Sequence, residues 1–210
     1  MANLTKNIIN RGATGTQSRF SIQITDGQIR ELESVLRNVP NGVNRAIPPA
    51  INRTLNTGRT RIVRRIGGVL NLKQAKIREA FTVTTAGKSG RSGKLNIRNR
   101  QIDMMEFKPR QDAKGISVRV RKDKGIEKIP HWFINNAKSD GKPWVLARVR
   151  DGDRLVGRYA IFKKYGPSVL GAFENAPSLA STELAAMQEV LDKNIASQVD
   201  RLLSRKKSSR

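Results

Sequence analysis

The sequence predicts an α+β fold in which an antiparallel sheet is packed by N-terminal helices and a long C-terminal helix. Three observations carry this. Apolar residues recur at helical spacing near both ends, at Ile29, Leu32, Val35 and Leu36 and again at Leu184, Met187, Leu191, Ile195, Val199 and Leu202. Between them, short runs of apolar and β-branched residues alternate with polar ones and are bounded by Gly, Pro and Asp. Apolar residues make up 37 % of the chain and aromatics 5 %, so the core is aliphatic, modest, and best filled by helices lying on one face of a sheet.

Taken in order, residues 1–20 are rich in Asn, Thr, Gly and Ser without a period, and predict an extended or disordered arm. A single domain is expected over 21–204, followed by a basic tail at 205–210. Thr25 and Gln28 have the spacing of a capping box, so a first helix starts there and stops near Asn38, ahead of Pro40 and Gly42. A second helix is expected to begin near Pro48, because proline suits the first helical turn. Its apolar stripe is Ala50, Ile51, Leu55, Ile62, Val63 and Ile66, weakened at Gly58, and Gly67-Gly68 is its expected stop. Asn71 is placed to cap a short third helix carrying Ala75, Ile77, Ala80 and Phe81.

The middle of the chain changes period. Phe81–Thr84 predicts a strand, and 87–93 a flexible basic loop. Leu95 with Ile97, and Ile116 with Val118 and Val120, alternate as one-faced strands do; Met104–Phe107 is placed to extend or pair with them. Further strands are expected at Trp144–Val149 and Val156–Phe162. Gly166-Pro167 then breaks the chain before a helix from about Ser178 to Ser204. Phe81, Phe107, Trp132, Phe133, Trp144 and Phe162 sit in apolar surroundings and are expected in the core.

Charge is the dominant feature. The 210 residues hold 41 Lys+Arg and 17 Asp+Glu, a net charge of +24, far above the roughly 2–8 that solubility of a small domain requires. Residues 52–124 contribute +15 of it, with 20 Lys+Arg against 5 Asp+Glu. Such a field attracts polyanions. Arginine dominates the second helix, and its planar fork suits phosphate. The candidate DNA contacts are Arg53, Arg59, Arg61, Arg64, Arg65, Lys88, Arg91 and Lys94; the alternative for any of these arginines is pairing with carboxylates of neighbouring subunits. With few exposed rings expected, binding is backbone-directed and salt-dependent.

Several function classes are excluded or disfavoured. The chain has no cysteine, which removes disulfides, thiolate metal sites and thiol catalysis. No stretch approaches the ~20 apolar residues of a membrane span, and Met1–Phe20 has no signal-peptide core. The one histidine, His131, stands beside Pro130 and Trp132 as a packed or surface residue does. Asp103, Glu106 and Asp112 with Lys114 only faintly suggest a metal-dependent nuclease. Gly87-Lys88-Ser89 lacks the glycine pattern and following helix of a phosphate loop. No catalytic residue, metal or cofactor is expected.

The segment Ala50-Ile51-Asn52-Arg53-Thr54 follows Pro48-Pro49 in a basic helix. Later come Ile129-Pro130-His131-Trp132-Phe133-Ile134, Gly141-Lys142-Pro143-Trp144-Val145, Gly166-Pro167-Ser168-Val169 and a long C-terminal helix. This order, over roughly residues 25–205, resembles the minor tail protein Z family of lambda-like tailed phages and prophages. Ala50, Asn52, Arg53, Thr54, Gly166, Pro167 and Ser168 are the family-like positions, with assembly the role expected of them, although for Gly166, Pro167 and Ser168 a turn before the last helix is the preferred reading. The resemblance implies a non-enzymatic tail-completion protein in the virion's tail neck, assembled in the host cytoplasm. It implies a fold similar to phage connector and tail-terminator proteins. The implied partners are further copies of the chain in a ring, hexameric if it follows the tail axis, the tail terminator and head-tail connector proteins, and the phage DNA end. A free, sequence-independent nucleic-acid-binding protein is the alternative.

Overall fold

The computed structural model describes residues 3–10, 16–135, 143–148, 150–151, 154–155, 161–175 and 177–207, with side chains described over 20–135, 143–148, 161–175 and 181–205. The fold is α+β, with antiparallel strands and a long C-terminal helix, as the periodicities predict.

A hairpin comes first. β1 (Asn3–Asn10) pairs with β2 (Thr16–Gln23), Asn3 opposite Gln23 and Asn10 opposite Thr16. β2 also pairs with a later strand, β4 (Ser92–Arg98), which pairs in turn with β3 (Phe81–Thr84); the sheet order is β1-β2-β4-β3. Residues 3–10 and 16–20, where the sequence suggested an aperiodic arm, are therefore paired strand. The hydrogen-bonding edge of β4 organises them, and a backbone ladder needs no apolar period in the strand it recruits. Phe20 and Ile22 are fully buried on the inner face of β2.

α1 (Asp26–Val35) begins at the predicted cap, where the Thr25 backbone N–H donates to Gln28 Oε1 at 3.4 Å. It ends three residues before Asn38, and two turns closed by Val39 N–H to Leu36 O and Gly42 N–H to Val39 O lead into the next helix. α2 (Gly42–Val69) differs from expectation at both ends. Pro48 and Pro49 do not start it. They lie in its second turn, where Ala46, Ile47, Pro48, Ala50 and Ile51 are all buried; packing of that face outweighs the two lost amide bonds. Gly67-Gly68 does not stop it either. The helix continues to Val69, and Leu70 bridges to Arg121. Gly58, expected as a weakness, is a contact: a Cβ there would lie 2.7 Å from the Met187 thioether.

α3 (Gln74–Glu79) starts from Lys73. Asn71 does not cap it; its Nδ2 donates to Arg119 O at 2.9 Å and its N–H to Val120 O. Among the described residues, five small antiparallel sheets, the hairpin sheet included, replace the single one-faced sheet expected. One pairs β5 (Gln101–Asp103) with β14 (Tyr165–Ser168), and a second contains β6 (Arg110–Asp112), β7 (Gly115–Val118) and β8 (Glu127–Pro130). A third has β9 (Trp132–Asn135) and β13 (Ile161–Lys163) flanking β10 (Trp144–Arg148), and a fourth joins β11 (Arg150–Asp151) to β12 (Arg154–Leu155). Met104–Phe107, expected as strand, is a 3-10 turn started by Asp103, whose carboxylate accepts from Met105 N–H at 3.1 Å. Short strands interrupted by such turns cannot keep one continuous ladder. Residues 149 and 156–160 of the expected strands lie outside the described residues.

Gly166-Pro167 is not a break but part of β14. Proline is tolerated there because the strand has one hydrogen-bonded neighbour, and the register shifts between Gly166 and Ser168. A short helix not foreseen, α4 (Val169–Glu174), follows, capped by Ser168 Oγ accepting from Gly171 N–H at 2.9 Å. α5 (Pro177–Lys207) closes the chain, with Met187, Leu191, Val199 and Leu202 buried as its spacing predicts.

α2 is the central element, packing on α1, α3, α4, α5 and β4. Ile51, Leu55, Ile62 and Ile66 meet Phe20, Leu95, Phe107 and Phe173 in the main core, and a second cluster joins Leu36, Val39 and Ala46 to Val199 and Leu202 at the helix's N-terminal end.

Candidate nucleic-acid interface

The arginines of α2 divide by environment. Arg53 and Arg64 are exposed and carry no ion pair among the described residues. Arg59 is half-buried, with its Nε lacking a hydrogen-bond partner. Arg61 and Arg65, one turn apart, both reach Glu183 of α5. Arg61 Nε lies 3.2 Å from Oε2, and Arg65 Nε 3.3 Å from Oε1, the latter an ion pair outside hydrogen-bond geometry. Glu183 is only 1 % exposed, while the two arginine side chains are 40 % and 56 % exposed. The carboxylate thus neutralises part of the cluster from beneath. Arg61, Arg64, Arg65 and Glu183 line one shallow recess with an excess of two positive charges. The counter-ion comes from the same chain, a possibility the spacing of residues 61 and 183 could not reveal.

The second basic group sits on the β3–β4 hairpin. Lys88 is exposed in a turn closed by Gly90 N–H to Gly87 O, Lys94 is exposed on the outer face of β4, and Arg91 pairs with Asp26 at 3.7 Å. Asn52 holds this hairpin to α2: its Oδ1 accepts from Ala86 N–H at 2.7 Å and its Nδ2 donates to Ala86 O at 3.2 Å. Asn52 and Arg64 are separated by ~18 Å of helix rise, so the two basic groups are distinct patches along one helix.

Several of the family-like residues have intramolecular roles, whereas Arg53 is exposed. Ala50 is fully buried. Thr54, also fully buried, donates to Ala50 O at 2.8 Å and accepts from Asn194 Nδ2 of α5 at 3.0 Å. Gly166 lies against the Phe107 ring, where a Cβ would approach a ring carbon to 2.4 Å. Asn52→Ala should lower stability by about 1–3 kcal/mol, because both peptide groups of Ala86 lose their partner. Urea unfolding measures this, and faster hydrogen exchange of the Ala86 amide would localise it; an unchanged urea midpoint would refute it.

At the far end of α2, the 119–124 turn is docked on the helix terminus. Lys122 Nζ donates to Gly67 O at 2.7 Å, favourable at a helix C-terminus, and Lys122 N–H donates to Val69 O. Arg119 donates to the carbonyls of Lys122 and Lys124, and Arg121 grips Asp123 at 2.7 Å. The Arg121 hydrogen bond holds the Asp123 carboxyl below its ordinary range.

Of the six rings expected in the core, Phe81 and Phe107 are buried. Trp132, Phe133 and Trp144 are half-buried, and Phe162 is 54 % exposed. Cations lie over several of them: Lys163 Nζ is 4.5 Å from the Trp144 ring centre, Lys164 Nζ 5.4 Å from Trp132, and the Arg148 guanidinium 5.7 Å from Phe133. The missed signal is the basic residues Arg148, Lys163 and Lys164 at the ends of the apolar runs. Phe20 and Phe173, not singled out in the sequence, are the buried pair, edge to face at 5.6 Å.

The carboxylates weighed as a nuclease site are dispersed. Asp103 pairs with Lys163, Glu106 with Lys76, and Asp112 accepts from Ser117 Oγ. Lys76, held by Glu79 and Glu106, keeps its proton above the usual lysine range. His131, with a left-handed φ of 66°, shares an open recess with Asp112 and Lys114. Among the described residues no three His, Asp or Glu side chains gather as metal ligands, and no helix is long and apolar enough to cross a membrane.

Residues 22–206 match the family described as prophage minor tail protein Z, across nearly the whole chain. The chain belongs to this family. No curated protein and no solved structure matches it significantly. Membership in the minor tail protein Z family places it among the structural proteins of phage tails, and so in the virion. It also accounts for the order of motifs along the chain, of which Asn52 and Thr54 link α2 to the β3–β4 hairpin and to α5.

Proposed function

We propose that this minor tail protein Z family member is a tail-completion protein. Copies form a ring at the head-proximal end of the tail, hexameric by the symmetry of the tail axis. The ring joins the tail terminator to the head-tail connector, and its basic surface contacts the DNA end. The observation that carries this reading is a net charge of +24 on a structural tail protein, with Arg53, Arg64, Lys88 and Lys94 exposed and free of ion pairs among the described residues. Deleting the gene should yield tails that do not join heads productively; normal infectious particles would reject the proposal.

For DNA contact, the four exposed residues should be replaced together by alanine. The slope of log affinity against log salt should shrink by about 0.9 for each duplex phosphate that is no longer neutralised. An unchanged slope would remove these residues from the interface. The half-exposed rings of β9 and β10, with cations seated on them, favour one second reading, a free nucleic-acid-binding protein that stacks on bases. That reading requires tight binding by the isolated monomer, and recovery of the protein only in assembled particles would reject it.

A further inference from the structure

Two surfaces outside the arginine clusters are complementary to each other. The first is a groove between α1 and α5. Leu32, Val35, Ile195 and Val199 supply its apolar lining, and Val35 is 53 % exposed. Glu31, Asp192 and Asp200 also line it. All three are exposed, and among the described residues none is ion-paired, in a chain with 41 Lys+Arg. Arg30, Lys193 and Arg201 stand on the same helices, and Arg37 in the turn after α1, but none of them lines the groove.

The second is the turn leading into β8. Ile126 is 68 % exposed, the most exposed large apolar side chain among the described residues. Lys124 and Lys128 flank it, exposed and, among the described residues, without ion pairs; Asp123 is neutralised by Arg121, and Glu127 is the remaining carboxylate of the turn. The preceding residues are fixed by the Lys122 bond to Gly67 O and the Arg119 bonds across the turn. Ile126 is therefore presented on a held turn, an apolar knob with positive shoulders.

One copy cannot fill its own groove. α5 meets α2 beside the groove at Thr54, through Asn194, and at Ala46, through Val199 and Leu202. The knob is anchored at Gly67, ~20 Å further along the helix than Thr54. The two surfaces lie towards opposite ends of the central helix, the arrangement a head-to-tail contact requires.

We propose that Ile126, flanked by Lys124 and Lys128, docks into the α1–α5 groove of the next copy of this chain. The contact joins unlike surfaces, so it is heterologous and repeats from copy to copy until the ring closes. It rests on the ring reading above and specifies which faces meet. The groove carboxylates, without ion pairs among the described residues although Asp192 accepts from Gln188 Nε2 at 3.2 Å, gain lysine partners, which sets direction and register.

The absence of cysteine makes a direct test available. The full chain carrying both Val35→Cys and Ile126→Cys should, on oxidation, give a ladder of covalent multimers ending at the closed ring. A mixture of the two single variants should give one cross-linked heterodimer. A charge exchange guards against perturbation by the thiols. Asp192→Lys with Asp200→Lys, or Lys124→Glu with Lys128→Glu, should each weaken assembly by about tenfold or more, and all four changes in one chain should restore it. If wild type assembles in light scattering but neither the ladder nor the restoration appears, this docking is wrong and the ring reading stands. If wild type stays monomeric at all concentrations, both are wrong.

Discussion

Replacing Arg61 and Arg65 together by alanine should destabilise the isolated protein by roughly 2–4 kcal/mol, even though both side chains are substantially exposed. The reason is the group they leave behind. Glu183 is 1 % exposed and has these two guanidiniums as its ion-pair partners. Without them a buried carboxylate must stay charged and unpaired or bind a proton. The partial exposure of the arginines lets water reach the vacated space, which keeps the loss below the full cost of breaking a deeply buried pair. For a chain of this length the loss corresponds to about 2–4 °C in Tm per kcal/mol, readable by circular dichroism. Adding Glu183→Leu to the double variant should recover most of it, since the stranded charge is then gone. An unchanged Tm in the double variant would show that the triad does not hold α2 to α5. The result also governs how DNA contact is tested. A packaging defect in the double variant has a folding explanation, whereas Arg64→Ala, exposed and unpaired, changes the charge of the same recess without stranding a carboxylate.

Phe20→Ala should cost about 3–5 kcal/mol, the range for emptying a fully buried aromatic site. Phe20 is completely inaccessible and meets the Phe173 ring edge to face at 5.6 Å, with planes 81° apart. The contact ties β2, near the N-terminus, to α4, near the start of the C-terminal region, so the loss should appear as a shift of the whole urea transition rather than a local change. Destabilisation of less than about 1 kcal/mol would mean that the strand before Ser21 contributes little to the core. Phe20, Ile22 and Ile24 alternate with Ser21 and Gln23, the period of a half-buried strand, whereas the residues before Phe20 are polar and aperiodic.

The helices were legible wherever an amphipathic stripe ran uninterrupted. The α5 stripe from Leu184 to Leu202 and the cap at Thr25 are local patterns, and local patterns fix them. Their limits were less legible. Pro48-Pro49 and Gly67-Gly68 are standard boundary signals; α2 runs through the prolines, because burial of its face outweighs local preference, and ends one residue past the glycines. The Ala50–Thr54 motif could be located but not explained. Asn52 answers to Ala86 and Thr54 to Asn194, partners 34 and 140 residues away.

Residue order alone was enough for the α+β class, the helical stripes, the alternating strands, the family and the size of the positive field, since each follows from composition, period or motif order along the chain. Which charges are free is a matter of packing. The fold sets Glu183 beneath Arg61 and Arg65, leaves Arg53 and Arg64 unpaired, and places an acidic apolar groove and a basic apolar knob towards opposite ends of α2. Charge pairing depends on separations of a few ångströms between residues far apart in the chain, and no local pattern encodes such distances.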